Sequence, residues 1–142
     1  MLLIGARHLD EISAHGERDY PYECCGLLLG HFENERKVVT EIFPISNARE
    51  EAAKRNRFLI TPAELLRGEQ HAALRGVDVV GFYHSHPDHP SVPSQYDLEH
   101  AWPVYSYIVV AIHNGRRESL RSWEMKADRS RFIEEEISLE RN

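Results

Sequence analysis

Cysteine is scarce in these 142 residues, and the only two, Cys24 and Cys25, are adjacent. Neighbouring cysteines rarely pair without strain, so no disulfide framework is expected. Both thiols read as reduced, largely buried and cytosolic. Long hydrophobic runs are missing too: no apolar stretch nears the roughly 20 residues of a membrane span. Met1-Leu2-Leu3-Ile4 is too short for the core of a signal peptide, and acidic residues soon follow. Basic charge is outweighed, with 17 Lys and Arg against 23 Asp and Glu and a net charge of −6. That balance favours solubility and argues against nucleic acid as the main partner. No linker and no internal repeat divides the chain. A single domain over residues 1–142, long enough to bury a core, is the expectation.

What the chain does have is concentrated in one window. His84-Ser85-His86-Pro87-Asp88-His89-Pro90-Ser91-Val92-Pro93-Ser94-Gln95-Tyr96-Asp97 follows an apolar lead-in, Val77 to Tyr83. The lead-in is β-branched and aromatic, too short for a helix, and reads as a buried strand. Side chains on a strand repeat every second residue, so His84 and His86 share a face and Ser85 takes the other. Pro87, Pro90 and Pro93 then force a loop. Ser94 to Trp102 reads as a short helix with Asp97 in its first turn, aimed back at the histidines. A catalytic zinc takes three protein ligands from His and carboxylate and keeps one position open. This segment could supply all three. The same Ser94 and Asp97 also match a helix capping box, which by itself accounts for both residues.

A carboxylate lies upstream in Pro21-Tyr22-Glu23-Cys24-Cys25-Gly26-Leu27-Leu28-Leu29-Gly30. Cys24 to Leu29 reads as a central strand with Glu23 at its mouth. Most glutamates are simply solvated. Beside a metal, one not bound to the ion is the usual base for a water's proton.

These residues together resemble the JAMM metallopeptidases, also called MPN-plus domains. Their signature is a glutamate, then His-Ser-His, seven residues, Ser, two residues and Asp. Glu23, His84, Ser85, His86, Ser94 and Asp97 match it, as Pro21, Glu23, Cys25, Gly26, Leu28 and Gly30 match the family's surroundings of the glutamate. The similarity spans about Arg7 to Lys126. The resemblance implies one Zn²⁺ per chain on His84, His86 and Asp97, Glu23 as base and then acid, and Ser94 as a donor to the oxyanion. It implies cleavage after the C-terminal Gly-Gly of a ubiquitin-like protein. The short chain is similar to the small stand-alone prokaryotic branch, whose substrates are ubiquitin-like sulfur carriers bearing a C-terminal amino acid or a lysine conjugate. Ser85 is left with a supporting role.

Other elements follow from pattern. Strands are expected at Met1 to Gly5, Cys24 to Phe32, Lys37 to Ile45, Tyr105 to His113 and Arg117 to Met125, with Asn114-Gly115 as a hairpin turn. Helices are expected at Ala6 to Glu17 and from Pro62, capped by Thr61, to about Arg75. Phe132 to Leu139 fits strand or helix. The mixed order predicts a three-layer α/β sandwich, and the resemblance implies the curved mixed sheet of the cytidine-deaminase-like MPN fold. His89 is a possible fourth ligand, which would close the site; His100 reads as a helix-face residue. Lys54-Arg55-Asn56-Arg57 is either a solvated face or a patch for an acidic partner. Two other functions stand beside the metallopeptidase. One is a cysteine hydrolase using Cys24 or Cys25, which an apolar strand disfavours. The other is a non-catalytic MPN scaffold that binds ubiquitin-like proteins. There is no His-Glu-x-x-His and no Pro-Cys-x-x-Cys.

Overall fold

A computed structural model describes residues 1–46 and 60–140, in the order β1 (Leu2–Gly5), α1 (Ala6–Asp19), β2 (Cys25–Glu33), β3 (Arg36–Ile45), α2 (Pro62–Leu74), β4 (Asp78–Pro87), α3 (Gln95–His100), β5 (Ser106–His113), β6 (Arg116–Met125), β7 (Phe132–Glu135) and β8 (Ile137–Glu140). The polar stretch 47–57, with Lys54-Arg55-Asn56-Arg57, lies outside the described residues.

The strands form one eight-stranded sheet in the order β7-β6-β5-β4-β2-β3-β1-β8. It is mixed: β4 runs parallel to β5, and β1 parallel to β3 and β8, while the other pairs are antiparallel. The segment that read as strand or helix is two strands on opposite edges of the sheet, separated only by Glu136. Edges one residue apart require the sheet to curl. Lys37 on β3 reaches across the curl to Glu124 on β6 at 2.6 Å and Glu135 on β7 at 3.4 Å. Ser106 and Ser122 donate to the other Glu135 oxygen at 2.7 and 2.8 Å. Buried charges are tolerated when paired and hydrogen-bonded in this way.

Helix α1 packs on the Lys37 side of the sheet, where Leu9 and Ile12 join Leu2, Ile4, Cys24, Leu28 and Val39 in the larger core. Helix α2 covers the other face, over Cys25, Leu27, Leu29 and Ile45. It approaches closely because Gly68 has no side chain: a Cβ there would lie 2.2 Å from Leu27 Cδ1. Thr61 caps it by accepting the Glu64 N–H at 3.2 Å. The three layers expected from sequence are thus present, with the sheet curved. The Asn114-Gly115 turn has φ of 50° and 83°, as a tight hairpin requires. Among the described residues no helix is long and apolar enough to cross a membrane.

Candidate metal centre

Strand β4 is central, and its last residues are buried: His84 is 2% exposed, Ser85 0% and His86 7%. The two-residue period puts both imidazoles on the α2 face. After Pro87 the chain turns through Asp88, whose φ is +58°, into the proline loop. Ser94 then caps α3. Its Oγ accepts the Asp97 N–H at 3.1 Å, while the Ser94 N–H donates to Asp97 Oδ2 at 2.8 Å. The capping box is therefore real, and it also aims the carboxylate. The same Oδ2 lies 3.1 Å from His84 Nε2 and 3.2 Å from His86 Nε2.

The two Nε2 atoms are 3.1 Å apart. Two ring nitrogens so close repel unless a proton or a cation lies between them. Three donor atoms thus form a triangle with sides of 3.1, 3.1 and 3.2 Å. A tetrahedral zinc with bonds of about 2.0–2.1 Å holds its ligand atoms about 3.4 Å apart. The triangle suits one face of that tetrahedron and leaves the fourth direction open. His86 Nδ1 is 2.9 Å from the Pro90 carbonyl, and a proton donated there leaves the Nε2 lone pair facing the corner.

Glu23 enters from the neighbouring strand. Cys25 pairs with His84 in antiparallel register, so continuing the ladder outward sets Glu23 opposite His86, on the same face. Glu23 is 3% exposed, and its carboxylate lies within 4.8 Å of the two imidazole ligand atoms. Burial pushes its carboxyl up to about 8; the charge of His86 opposes this and that of Asp97 adds to it. Burial also works against the Asp97 charge, but the His84 and His86 rings and the Ser94 N–H outweigh it and hold that carboxyl well below the usual range. Burial alone would lower His86; its hydrogen bond to Asp97 and that carboxylate's charge raise it instead. A dication among these atoms would oppose the rise at Glu23 and favour its charged form.

A groove of about 680 Å³ opens on the same sheet face, walled by Leu65, Val79, Phe82, Tyr96, Trp102 and Tyr107. Phe82 is two residues before His84, and Tyr96 is one before Asp97, so the groove begins beside the corner.

All five residues singled out by pattern, Glu23, His84, His86, Ser94 and Asp97, come together. His89 does not join them: it is exposed. His100 stacks on Tyr96 with ring centroids 4.1 Å apart, as a helix-face residue. Cys24 and Cys25 are both 0% exposed, and burial pushes the Cys24 thiol up to about 12 and raises Cys25 as well. Sequence reading missed the Pro90 carbonyl on His86, because no side-chain pattern marks a backbone acceptor.

Comparison with known proteins agrees with this arrangement. Residues 5–126 match the family described as prokaryotic homologs of the JAB domain. The chain is 36% identical over 113 residues to a protein of Haloferax volcanii named desampylase, covering 76% of this chain and 78% of that one. It is 30% identical over 129 residues to a protein of Mycobacterium tuberculosis named CysO-cysteine peptidase, covering 87% and 82% respectively. A solution structure of a Desulfitobacterium hafniense protein superposes with a TM-score of 0.87 at 28% identity, over 100% of this chain and 94% of that one. With the His-Ser-His strand, the Ser94–Asp97 turn and the Glu23 mouth all in place, the chain belongs to the prokaryotic homologs of the JAB domain.

Proposed function

We propose that this chain, as a single domain over residues 1–142, is a zinc-dependent peptidase or isopeptidase. It hydrolyses the bond after the C-terminal Gly-Gly of a ubiquitin-like protein, a sulfur carrier bearing a C-terminal amino acid or a lysine conjugate. The observation that carries the reading is the 3.1–3.2 Å triangle of His84, His86 and Asp97 donor atoms beside a buried acid. His84, His86 and Asp97 would hold one zinc ion. The chemistry zinc supplies is Lewis acidity, which polarises a carbonyl and acidifies water.

The chain's own groups do the rest. Glu23 takes a proton from the attacking water and returns it to the leaving nitrogen. The Ser94 oxygen accepts the Asp97 N–H, which leaves the hydroxyl proton for the oxyanion that develops on the scissile carbonyl. The groove walled by Phe82, Trp102 and Tyr107 receives an extended tail and shields the bond from bulk water. A desampylase and a CysO-cysteine peptidase among the relatives support this class of substrate. Free, buried Cys24 and Cys25 fit a reducing, cytoplasmic setting and do not fit a thiolate nucleophile. The complete donor set speaks against a non-catalytic scaffold.

The test is intact-mass spectrometry of a ubiquitin-like sulfur carrier with one extra residue after Gly-Gly, incubated with zinc-loaded protein. The expected result is loss of that residue's mass, blocked by chelator. An unchanged mass for both this substrate and a lysine conjugate, with zinc bound, would overturn the proposal.

A further inference from the structure

The loop from His86 to Ser94 has little backbone bonding of its own. Pro87, Pro90 and Pro93 have no N–H to give. Asp88 N–H reaches the Ile112 carbonyl at 2.7 Å, and His89 N–H reaches His86 only at 3.5 Å. Further along, the fastening comes from two strands away. Trp123 Nε1–H donates to the Ser91 carbonyl at 3.0 Å, and the Ser91 and Ser119 hydroxyls are 2.8 Å apart. Ser91 is 2% exposed although Pro90 and Val92 on either side of it are exposed.

The sheet register explains the reach. His86 pairs with Ala111, and Ala111 with Ser119, so these side chains form one row on one face. Phe82, Tyr107 and Trp123 form another row on that face. Ala111, small and buried, sits between His86 and Ser119 in the first row. The residue before Ser91 is Pro90, whose carbonyl faces His86 Nδ1 at 2.9 Å.

We infer that Trp123 and Ser119 are positioning residues for His86: by holding Ser91 they set the Pro90 carbonyl against Nδ1 and keep the Nε2 lone pair turned to the metal corner. The inference rests on the reading of His86 as a metal ligand. Outer partners of this kind fix the tautomer and ring orientation of a ligand histidine. Simple packing by Trp123 would survive replacement by another aromatic ring; the indole donor would not.

The experiment compares wild type, Trp123→Phe and Ser119→Ala by two measurements. One is the protonation of His86 Nδ1 in metal-free protein, from long-range ¹H–¹⁵N NMR over a series of pH values, because, against burial, Asp97 raises this ring from its ordinary value. The other is the zinc dissociation constant, by competition with a chromophoric chelator. Wild-type His86 is expected on Nδ1–H. Trp123→Phe is expected to mix the tautomers and weaken zinc binding about 10- to 100-fold. Ser119→Ala is expected to act in the same direction more weakly, and exposed Arg121→Ala on the same strand face to change neither reading. A Trp123→Phe protein with His86 still wholly on Nδ1–H and zinc affinity within about twofold of wild type overturns the inference. So does a wild-type His86 whose Nδ1 carries no proton. If Trp123→Phe does not fold, Ser119→Ala decides on the same two readings. Wild-type protein that binds no zinc overturns the metal reading, and the Nδ1 comparison then still tests the hold of Trp123 and Ser119 on the His86 ring.

Discussion

Ser85 and Cys24 are tied twice: the Ser85 hydroxyl accepts the Cys24 N–H at 2.8 Å, and the Ser85 N–H donates to the Cys24 carbonyl at 3.1 Å. The hydroxyl bond lies on the sheet face turned away from His84 and His86. It clamps the mouth of β2, and with it Glu23, to the end of β4. The serine between the two histidines thus ties the strand end next to Glu23 to the strand that carries the histidines, from behind the sheet.

Replacing Ser85 by Ala leaves the buried Cys24 N–H without its side-chain acceptor. A loss of about 1–3 kcal/mol is expected in urea unfolding. Turnover should fall more than substrate affinity, because Glu23 shifts while the groove does not. An unchanged kcat alongside the stability loss would limit Ser85 to packing.

Glu23→Gln keeps the shape of the side chain and removes its ability to take a proton. Zinc content, measured by elemental analysis, should remain at one per chain, and kcat should fall about 10²–10⁴-fold. Retained turnover would remove Glu23 from the role of base.

The raised Glu23 carboxyl also has a consequence for stability in metal-free protein. Its folded value is about 8 against 4.5 for the unfolded chain. Between those values the folded state holds a proton that the unfolded chain has released. The contribution is fully present below the unfolded value and is lost as pH rises through the folded one. Wild type should therefore lose stability relative to Glu23→Gln, by one proton's slope, as pH rises between those two values. Paired thermal melts across that range check it; parallel curves would show that Glu23 ionises normally.

Asp97→Asn separates the observed helix cap from the proposed metal binding. An amide oxygen still accepts the Ser94 N–H, so α3 should keep its cap and the protein its melting temperature within a few degrees. The neutral oxygen is a poorer zinc ligand, and affinity should drop at least about tenfold, read by chelator competition. Full zinc affinity would take Asp97 out of the ligand set.

Thiol reagents supply the contrast with cysteine chemistry. Cys24 and Cys25 are 0% exposed and their thiolates are disfavoured. Iodoacetamide under native conditions should leave turnover unchanged while chelator abolishes it. Inactivation that tracks alkylation of either cysteine would restore the thiol reading.

Local chemistry made much of the site legible in one dimension. A two-residue strand period is enough to put His84 and His86 on one face, and a Ser-x-x-Asp spacing is enough to start a helix and aim an acid. The Asn114-Gly115 hairpin turn and the Thr61 cap were equally readable, because each depends on neighbours within four residues. The family signature linked Glu23 to the histidines across the chain. The register of β2 against β4 supplies the physical link, setting Glu23 opposite His86. Phe132 to Leu139 could not be resolved from pattern, since its two short strands are specified by partners on opposite edges of a curled sheet. Nor could the hold of Trp123 and Ser119 on the proline loop be read, because their bonds to Ser91 join residues 32 and 28 apart in the chain. Hydrogen bonds between distant segments leave no periodicity in the sequence. They exist only once the sheet has set its rows.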